Sequence, residues 1–217
     1  MLNYQKVFFE GRLLESMKWE GYDKKFYQNP DSVLQMENEY LLSLILDLNP
    51  KDKKTLDFGC GLGHWIEVLS ASGAIVSGTD ISDEAIDICR AKYPKCKFEC
   101  AGENIPFRDQ EFDLILVSWV FQEIIDDHIF QEVIKEIVRC LAANGKLIIT
   151  DNVYPDSRKI VKVTPFGDIF ENKDNIPSNL RFFPYNSVHS ILKQYGLILA
   201  RKEIIGESFF EVYQFSL

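Results

Sequence analysis

The sequence predicts an α/β fold in which a parallel sheet is covered by helices. Three observations carry this expectation. From residue 54 onward, short apolar runs of strand length alternate with stretches of helical periodicity. Phe112–Ser118 is apolar almost throughout, as expected of a strand buried on both faces. Gly59, Gly61 and Gly63 fall where the first strand runs into the first helix, the kind of turn that open α/β sheets place beside a ligand.

Residues 1–50 show no strand alternation. A weak helical pattern covers about Tyr4–Lys18. A second helix runs from about Val33 to Leu48, capped by Asp31 or Ser32 after Pro30 and stopped by Asn49-Pro50. Lys54–Phe58 reads as a strand, His64–Ser70 as a helix followed by Gly73, and Ala74–Gly78 as the next strand. Ser82 caps a helix to about Lys92, with Asp83 and Glu84 in the first turn, where the helix dipole favours acids. Cys96–Cys100 and Phe112–Ser118 are strands. Asp126 or Asp127 starts a helix whose stripe is Ile129, Val133, Ile134, Ile137, Val138 and Leu141. Asn144-Gly145 ends it, and Lys146–Thr150 is again a strand.

Residues 152–183 break the rhythm. They hold Pro155, Pro165, Pro177 and many polar residues, and read as a long functional loop. Asn186 or Ser187 then caps a helix to about Gln194, ended by Gly196. Leu197–Ile205 and Ser208–Ser216 follow as two strands joined at Gly206-Glu207, hence antiparallel. The expected organisation is a helical extension or cap over residues 1–50 and one domain over 51–217, with 152–183 as its lid or substrate insertion.

A chain of 217 residues allows one full domain plus an appendage. Its 24 basic and 33 acidic residues give a net charge of −9. Such a surface repels phosphate backbones, so nucleic acid is not an expected partner. No apolar stretch reaches the roughly 18 residues of a membrane span, and the N-terminus lacks a charged-then-apolar signal pattern. The expectation is a cytoplasmic chain with no membrane association. The five cysteines, Cys60, Cys89, Cys96, Cys100 and Cys140, are odd in number without CxxC spacing, and read as reduced, mostly buried thiols.

The strongest chemical signal is Leu56-Asp57-Phe58-Gly59-Cys60-Gly61-Leu62-Gly63-His64-Trp65. Glycines here let the backbone turn sharply and approach a ligand. The spacing is GxGxG, not the GxGxxG of dinucleotide sites, because His64 occupies the third fingerprint position. No Gly-Lys-Ser/Thr follows, so a P-loop is excluded. Seventeen residues after Gly63, Gly78-Thr79-Asp80 closes the next strand, and an acid there can accept hydrogen bonds from both ribose hydroxyls.

With these two elements the chain resembles the class I S-adenosylmethionine-dependent methyltransferases of small-molecule type. Further stretches are similar in order: Glu103-Asn104-Ile105-Pro106-Phe107 after the third strand, Phe112–Ser118 as the fourth, and Leu141-Ala142-Ala143-Asn144-Gly145-Lys146-Leu147 before the fifth. The resemblance is strong over about residues 52–151 and weak over 184–217. It implies a Rossmann-like three-layer sandwich, with a seven-stranded sheet whose last strand is antiparallel between the fifth and sixth. It implies S-adenosyl-L-methionine as cofactor. Gly59, Cys60 and Gly61 would line its methionyl part through backbone groups, with Gly63 and His64 beside them. Asp57 would order the loop or take the ammonium through water, Asp80 would hold the ribose, and Ile81 would pack on the adenine. The family often places an acid two positions before Glu103; here that residue is Ala101, so Gly102 or Glu103 would meet the adenine edge. Ser118 and Trp119 would face the methyl group.

The segment Ser118-Trp119-Val120-Phe121-Gln122-Glu123 lacks the Asp/Asn-Pro-Pro-Tyr/Phe motif of adenine and glutamine methyltransferases and the Pro-Cys of cytosine-C5 enzymes. Base and protein-glutamine methylation are therefore disfavoured. Glu123 and His128 are the candidate general bases. His189 reads as structural, and no His/Cys/Asp/Glu spacing calls for a metal. Trp19, Tyr22, Phe26, Tyr27, Tyr154, Phe166, Phe170, Phe182, Phe183 and Tyr185 would roof a pocket or pin their segments to the core, and Arg181 could meet an anionic substrate. The expected function is methyl transfer to a small molecule, at an oxygen nucleophile. The alternatives are nitrogen or carbon methylation, protein methylation, a catalytically silent cofactor-binding protein and a nicotinamide-dependent oxidoreductase.

Overall fold

The computed structural model describes residues 33–152, 160–162, 164, 168–170, 180–183, 187–206 and 208–216. They fall into two compact units, divided between Gly102 and Glu103.

In the first unit, helix α1 (Val33–Asp47) buries Leu41, Leu44 and Ile45, the three-and-four spacing of one helical face. Strand β1 (Lys54–Phe58) is buried from Thr55 onward. It runs into the glycine turn and helix α2 (His64–Ala71), which buries Trp65, Ile66 and Leu69. Strand β2 (Ile75–Asp80) pairs in parallel with β1. Ser82 caps helix α3 (Asp83–Lys92) as expected, its hydroxyl accepting from the Ala85 N–H at 3.2 Å. Strand β3 (Lys97–Cys100) pairs in parallel with β2.

In the second unit, β4 (Phe112–Ser118) leads through a 3-10 turn (Phe121–Glu123) into helix α4 (Asp127–Cys140). Asp126 caps that helix by accepting from the His128 and Ile129 N–H groups. The buried stripe of α4 is Phe130, Val133, Ile134, Ile137 and Cys140, one residue off the expected set at its start, with Ile129 and Val138 only half-buried. The helix also ends earlier than Asn144-Gly145. At Leu141 the backbone turns extended (φ −76, ψ 127), so strand β5 (Leu141–Asn152) begins at once and its first residue pairs with Phe112.

The proline-rich stretch is not loop throughout. Strands β6 (Ile160–Lys162), β7 (Asp168–Phe170) and β8 (Leu180–Phe182) form a small antiparallel sheet. Helix α5 (Ser187–Lys193), β9 (Leu197–Ile205) and β10 (Ser208–Phe215) complete the unit. The main sheet has the order β3-β2-β1-β4-β5-β10-β9. Strand β10 runs antiparallel to both β5 and β9, the place foreseen for the antiparallel last strand. The cap at Asp31 or Ser32, the helix over Tyr4–Lys18, the prolines 155, 165 and 177 and the cap at Asn186 lie outside the described residues, as do Trp19, Tyr22, Phe26, Tyr27, Tyr154, Phe166 and Tyr185.

Candidate active site

In the first unit, the glycine turn takes up its own backbone donors. The Gly59 and Cys60 N–H groups both donate to the Thr79 carbonyl at 2.8 Å, and Gly63 N–H donates to the Cys60 carbonyl at 2.9 Å. Gly61 N–H donates to Asp80 Oδ2 at 2.9 Å. The expectation that Gly59, Cys60 and Gly61 line a cofactor with backbone groups is thus corrected for their N–H donors, which satisfy the turn itself. What the turn offers is bare surface: a Cβ on Gly61, at φ +51, would meet nothing within 4 Å. Gly63 has a different reason to be glycine. At φ +84 its Cβ would stand 2.5 Å from the Tyr93 ring, so it permits close packing against α3.

Asp80 holds the turn and the next helix together. Its Oδ2 takes Gly61 N–H and its Oδ1 takes Ser82 N–H, each at 2.9 Å. A carboxylate has about four lone-pair sites, so two remain for donors of a ligand. Burial raises the Asp80 pKa against these donors. Asp57 lies at the end of β1, 1% exposed, with Oδ2 buried and unpartnered. Burial, and then the Asp80 charge, push its pKa up to about 8. An orphaned buried carboxyl beside an open glycine turn fits a cationic ligand, as the ammonium and sulfonium of S-adenosylmethionine require.

Around this pair, Ile81 is half-buried, its carbonyl accepting from the Cys100 thiol at 3.4 Å. The Ala101 N–H donates to the Asp80 carbonyl at 2.9 Å, which leads the chain past the end of β2 to Gly102. His64 is exposed, its ring edge-on to Trp65 at 4.8 Å.

In the second unit, Glu103 Oε2 and Ser118 Oγ are both buried without a partner. Trp119 has a left-handed backbone, φ 53, rare for a bulky residue. Its N–H donates to the Thr150 carbonyl at 2.8 Å and its indole N–H to Ser208 Oγ at 3.2 Å. The 3-10 turn that follows is held by Asp151, which is 1% exposed and accepts from the Gln122 and Asn152 N–H groups at 2.9 Å. Burial raises the Asp151 pKa well above its ordinary value. Glu123 ends this turn, half-buried, whereas His128 is exposed on the first turn of α4. Sequence reasoning missed Asp151 and Ser208; their only sequence signal is position, one at the end of β5 and one at the start of β10.

Arg181 is corrected. It is fully buried, donating to the Ile124 carbonyl at 2.7 Å, to Thr164 Oγ1 at 2.9 Å, to the Ile125 carbonyl at 3.0 Å and to Asp127 Oδ1 at 2.8 Å. Its guanidinium also covers the Phe130 ring at 4.9 Å. It fastens β8 to the segment after the 3-10 turn and does not present charge to a substrate. Phe182 and Phe183 are buried, Phe183 against the rings of Phe121, Phe130 and Phe209, so they pin their segment rather than roof a pocket. His189 is half-buried and stacked on Tyr213, in keeping with a structural role. Among the described residues, no three His, Cys, Asp or Glu side chains are arranged to hold a metal ion.

Residues 56–149 match the family described as a methyltransferase domain. A demethylmenaquinone methyltransferase of Thermotoga maritima is 29% identical over 122 residues, 55% of this chain and 51% of that protein. A ubiquinone biosynthesis O-methyltransferase of Coxiella burnetii is 31% identical over 105 residues, 46% of this chain and 44% of its own. The chain thus spans about half the length of the curated relatives it matches. Among solved structures, the Burkholderia thailandensis 1,6-didemethyltoxoflavin-N1-methyltransferase, with 1,6-didemethyltoxoflavin and S-adenosylhomocysteine bound, superposes with a TM-score of 0.66. That match has 13% identity and covers 96% of this chain and 89% of that one. Residues 56–149 are thus similar to a methyltransferase domain, and the glycine turn, the acid closing β2 and the antiparallel β10 agree with the class I S-adenosylmethionine-dependent methyltransferases that the chain resembles.

Proposed function

We propose that the chain transfers the methyl group of S-adenosyl-L-methionine to an oxygen of a small-molecule acceptor. The observation that carries the cofactor assignment is the orphaned, fully buried Asp57 carboxyl beside the open face of Gly61 and the doubly bonded Asp80. When bound, the cofactor supplies a methyl group already activated on sulfonium. The protein's task is then chiefly to align acceptor and methyl carbon. Asp57 would face the cation, Asp80 the ribose, and Glu103 with Gly102 the adenine edge, while Ser118 and Trp119 would border the reacting end. Glu123 would take the acceptor proton, with His128 as the alternative base. Residues 51–217 form the catalytic domain in this reading and 1–50 its extension. The small-molecule assignment is supported by what the quinone-pathway relatives and the toxoflavin enzyme are named for.

The test is turnover of labelled S-adenosylmethionine with phenolic and hydroxylated ring compounds. Formation of S-adenosylhomocysteine together with an O-methyl product supports the assignment. Tight cofactor binding without turnover on any acceptor class would leave a silent binding protein and overturn it.

A further inference from the structure

We propose that Cys60 and Cys89 form a modification site, an oxidisable dithiol whose closure to a disulfide shuts the Gly59–Gly63 turn to the cofactor. The effect on binding rests on the reading above that this turn meets S-adenosylmethionine. Cys60 lies within the turn and Cys89 on α3, and both are buried. Their sulfurs converge on one atom, the Gly61 carbonyl oxygen, at 4.0 and 3.3 Å. Cys89 packs directly beneath the turn, since a Cβ on Gly63 would be 3.2 Å from its sulfur. Cys96, beside Ser70, and Cys100, beside the Ile81 carbonyl, sit elsewhere.

The arrangement divides the roles of the two thiols. The neighbouring Cys60 lowers the Cys89 pKa, while Cys89, burial and the Asp57 charge raise that of Cys60. Cys89 is the nucleophile and Cys60 keeps its proton. A hydroperoxide is the oxidant. The Cys89 thiolate attacks one peroxide oxygen, the O–O bond breaks, and hydroxide (or alkoxide) leaves a sulfenic acid on Cys89. The Cys60 sulfur then attacks the Cys89 sulfur, its proton goes to the departing oxygen, and water leaves as the S–S bond forms. Both electrons lost by the sulfurs end on the two peroxide oxygens.

A disulfide draws the sulfurs to about 2.05 Å. Cys60 is joined directly to Gly61, so its displacement moves the residue whose N–H is fixed to Asp80 Oδ2 at 2.9 Å. Closure therefore acts on the open face of Gly61 and on the acid assigned to the ribose.

The test treats the whole chain with hydrogen peroxide, alkylates the remaining thiols and maps the cross-link by peptide mass. Cofactor affinity is measured by calorimetry before treatment, after it, and after dithiothreitol. The expected result is a Cys60–Cys89 cross-link and affinity lowered by about tenfold or more, restored by the reductant. Cys89→Ala should bind like the reduced wild type and lose the reversible effect. If that variant does not fold, the wild-type cross-link and its reversal decide. Cys60 and Cys89 both alkylated after peroxide, or a cross-link with unchanged affinity, would overturn the proposal. Failure of the reduced protein to bind cofactor would instead refute the reading of the turn, with the cross-link map still testing the dithiol.

Discussion

Gly61 and Gly63 lie two residues apart in one turn, both with positive φ, yet the same substitution should damage different properties. A Cβ on Gly61 meets nothing within 4 Å. Gly61→Ala therefore costs only the left-handed strain of a non-glycine residue, roughly 1–2 kcal/mol. A Cβ on Gly63 stands 2.5 Å from Tyr93 Cε2 and 3.2 Å from Cys89 Sγ. The ring must move, and its hydroxyl then leaves the Gly63 carbonyl at 3.1 Å and Glu67 at 3.2 Å. Overpacking costs about 1–3 kcal/mol and a hydrogen bond about 1 kcal/mol. With the backbone strain, Gly63→Ala should lose roughly 3–6 kcal/mol.

Denaturant melts of the two variants, run beside cofactor titrations, separate these effects. Gly61→Ala should lose no more than about 1–2 kcal/mol, and Gly61→Val, which fills the open face, should lose measurable cofactor binding while keeping its circular dichroism spectrum. Gly63→Ala should show the larger stability loss. Equal destabilisation by the two alanines, or cofactor binding retained by Gly61→Val, would refute the separation of a ligand-facing glycine from a packing glycine.

Three further outcomes are expected. Asp80→Asn should weaken S-adenosylmethionine binding about tenfold in calorimetry, because ribose bonds to a charged acceptor are worth roughly 1.5–3 kcal/mol each; unchanged affinity would remove Asp80 from the site. Arg181→Met should destabilise the protein by about 3–5 kcal/mol, since Asp127 and two carbonyls lose a buried cationic partner; a loss below about 1 kcal/mol in denaturant melts would contradict the clamp. Glu123→Gln should cut kcat by about a hundredfold or more with cofactor affinity intact, whereas the exposed His128, replaced by Asn, should cost less than about threefold; the reverse ranking would make His128 the base.

What was legible in the sequence was set by local demands. A positive φ favours glycine, so Gly59, Gly61 and Gly63 mark the turn. A helix start requires an acceptor, so Ser82 and Asp126 were readable as caps. The antiparallel pair at the C-terminus follows from its short joint at Gly206-Glu207. What was not legible depends on partners distant in the chain. Arg181 reads in the sequence as a partner for an anionic substrate because nothing nearby shows that Ile124, Ile125 and Asp127 surround it. The left-handed Trp119 is held by Thr150 and Ser208, residues of β5 and β10, and no local signal announces it. The early end of α4 was hidden because Leu141 continues the helical stripe in sequence while pairing with Phe112 in the sheet. The small sheet over β6–β8 was hidden because its strands are only three residues each.

Asp57 gives the site a pH dependence of definite sign. Its pKa rises from the ordinary 3.8 to about 8 in the folded chain, because burial and the Asp80 charge both disfavour the carboxylate. Between these values the folded state holds a proton that the unfolded state has lost. The Asp57 contribution to stability is therefore greatest below the ordinary value and declines as pH rises toward 8. A cation brought beside the group reverses the preference and favours the ionised form. Cofactor binding near neutral pH should accordingly release a proton from Asp57. Affinity should climb with pH, by at most about tenfold per unit, and level off above the folded pKa. Calorimetry from about pH 6 to about pH 9, in two buffers of different ionisation enthalpy, measures both quantities. Asp57→Asn should bind more weakly, lose the slope and release no proton. An affinity flat across that range in the wild type, or a slope unchanged in Asp57→Asn, would show that the buried carboxyl does not meet the cofactor's charge.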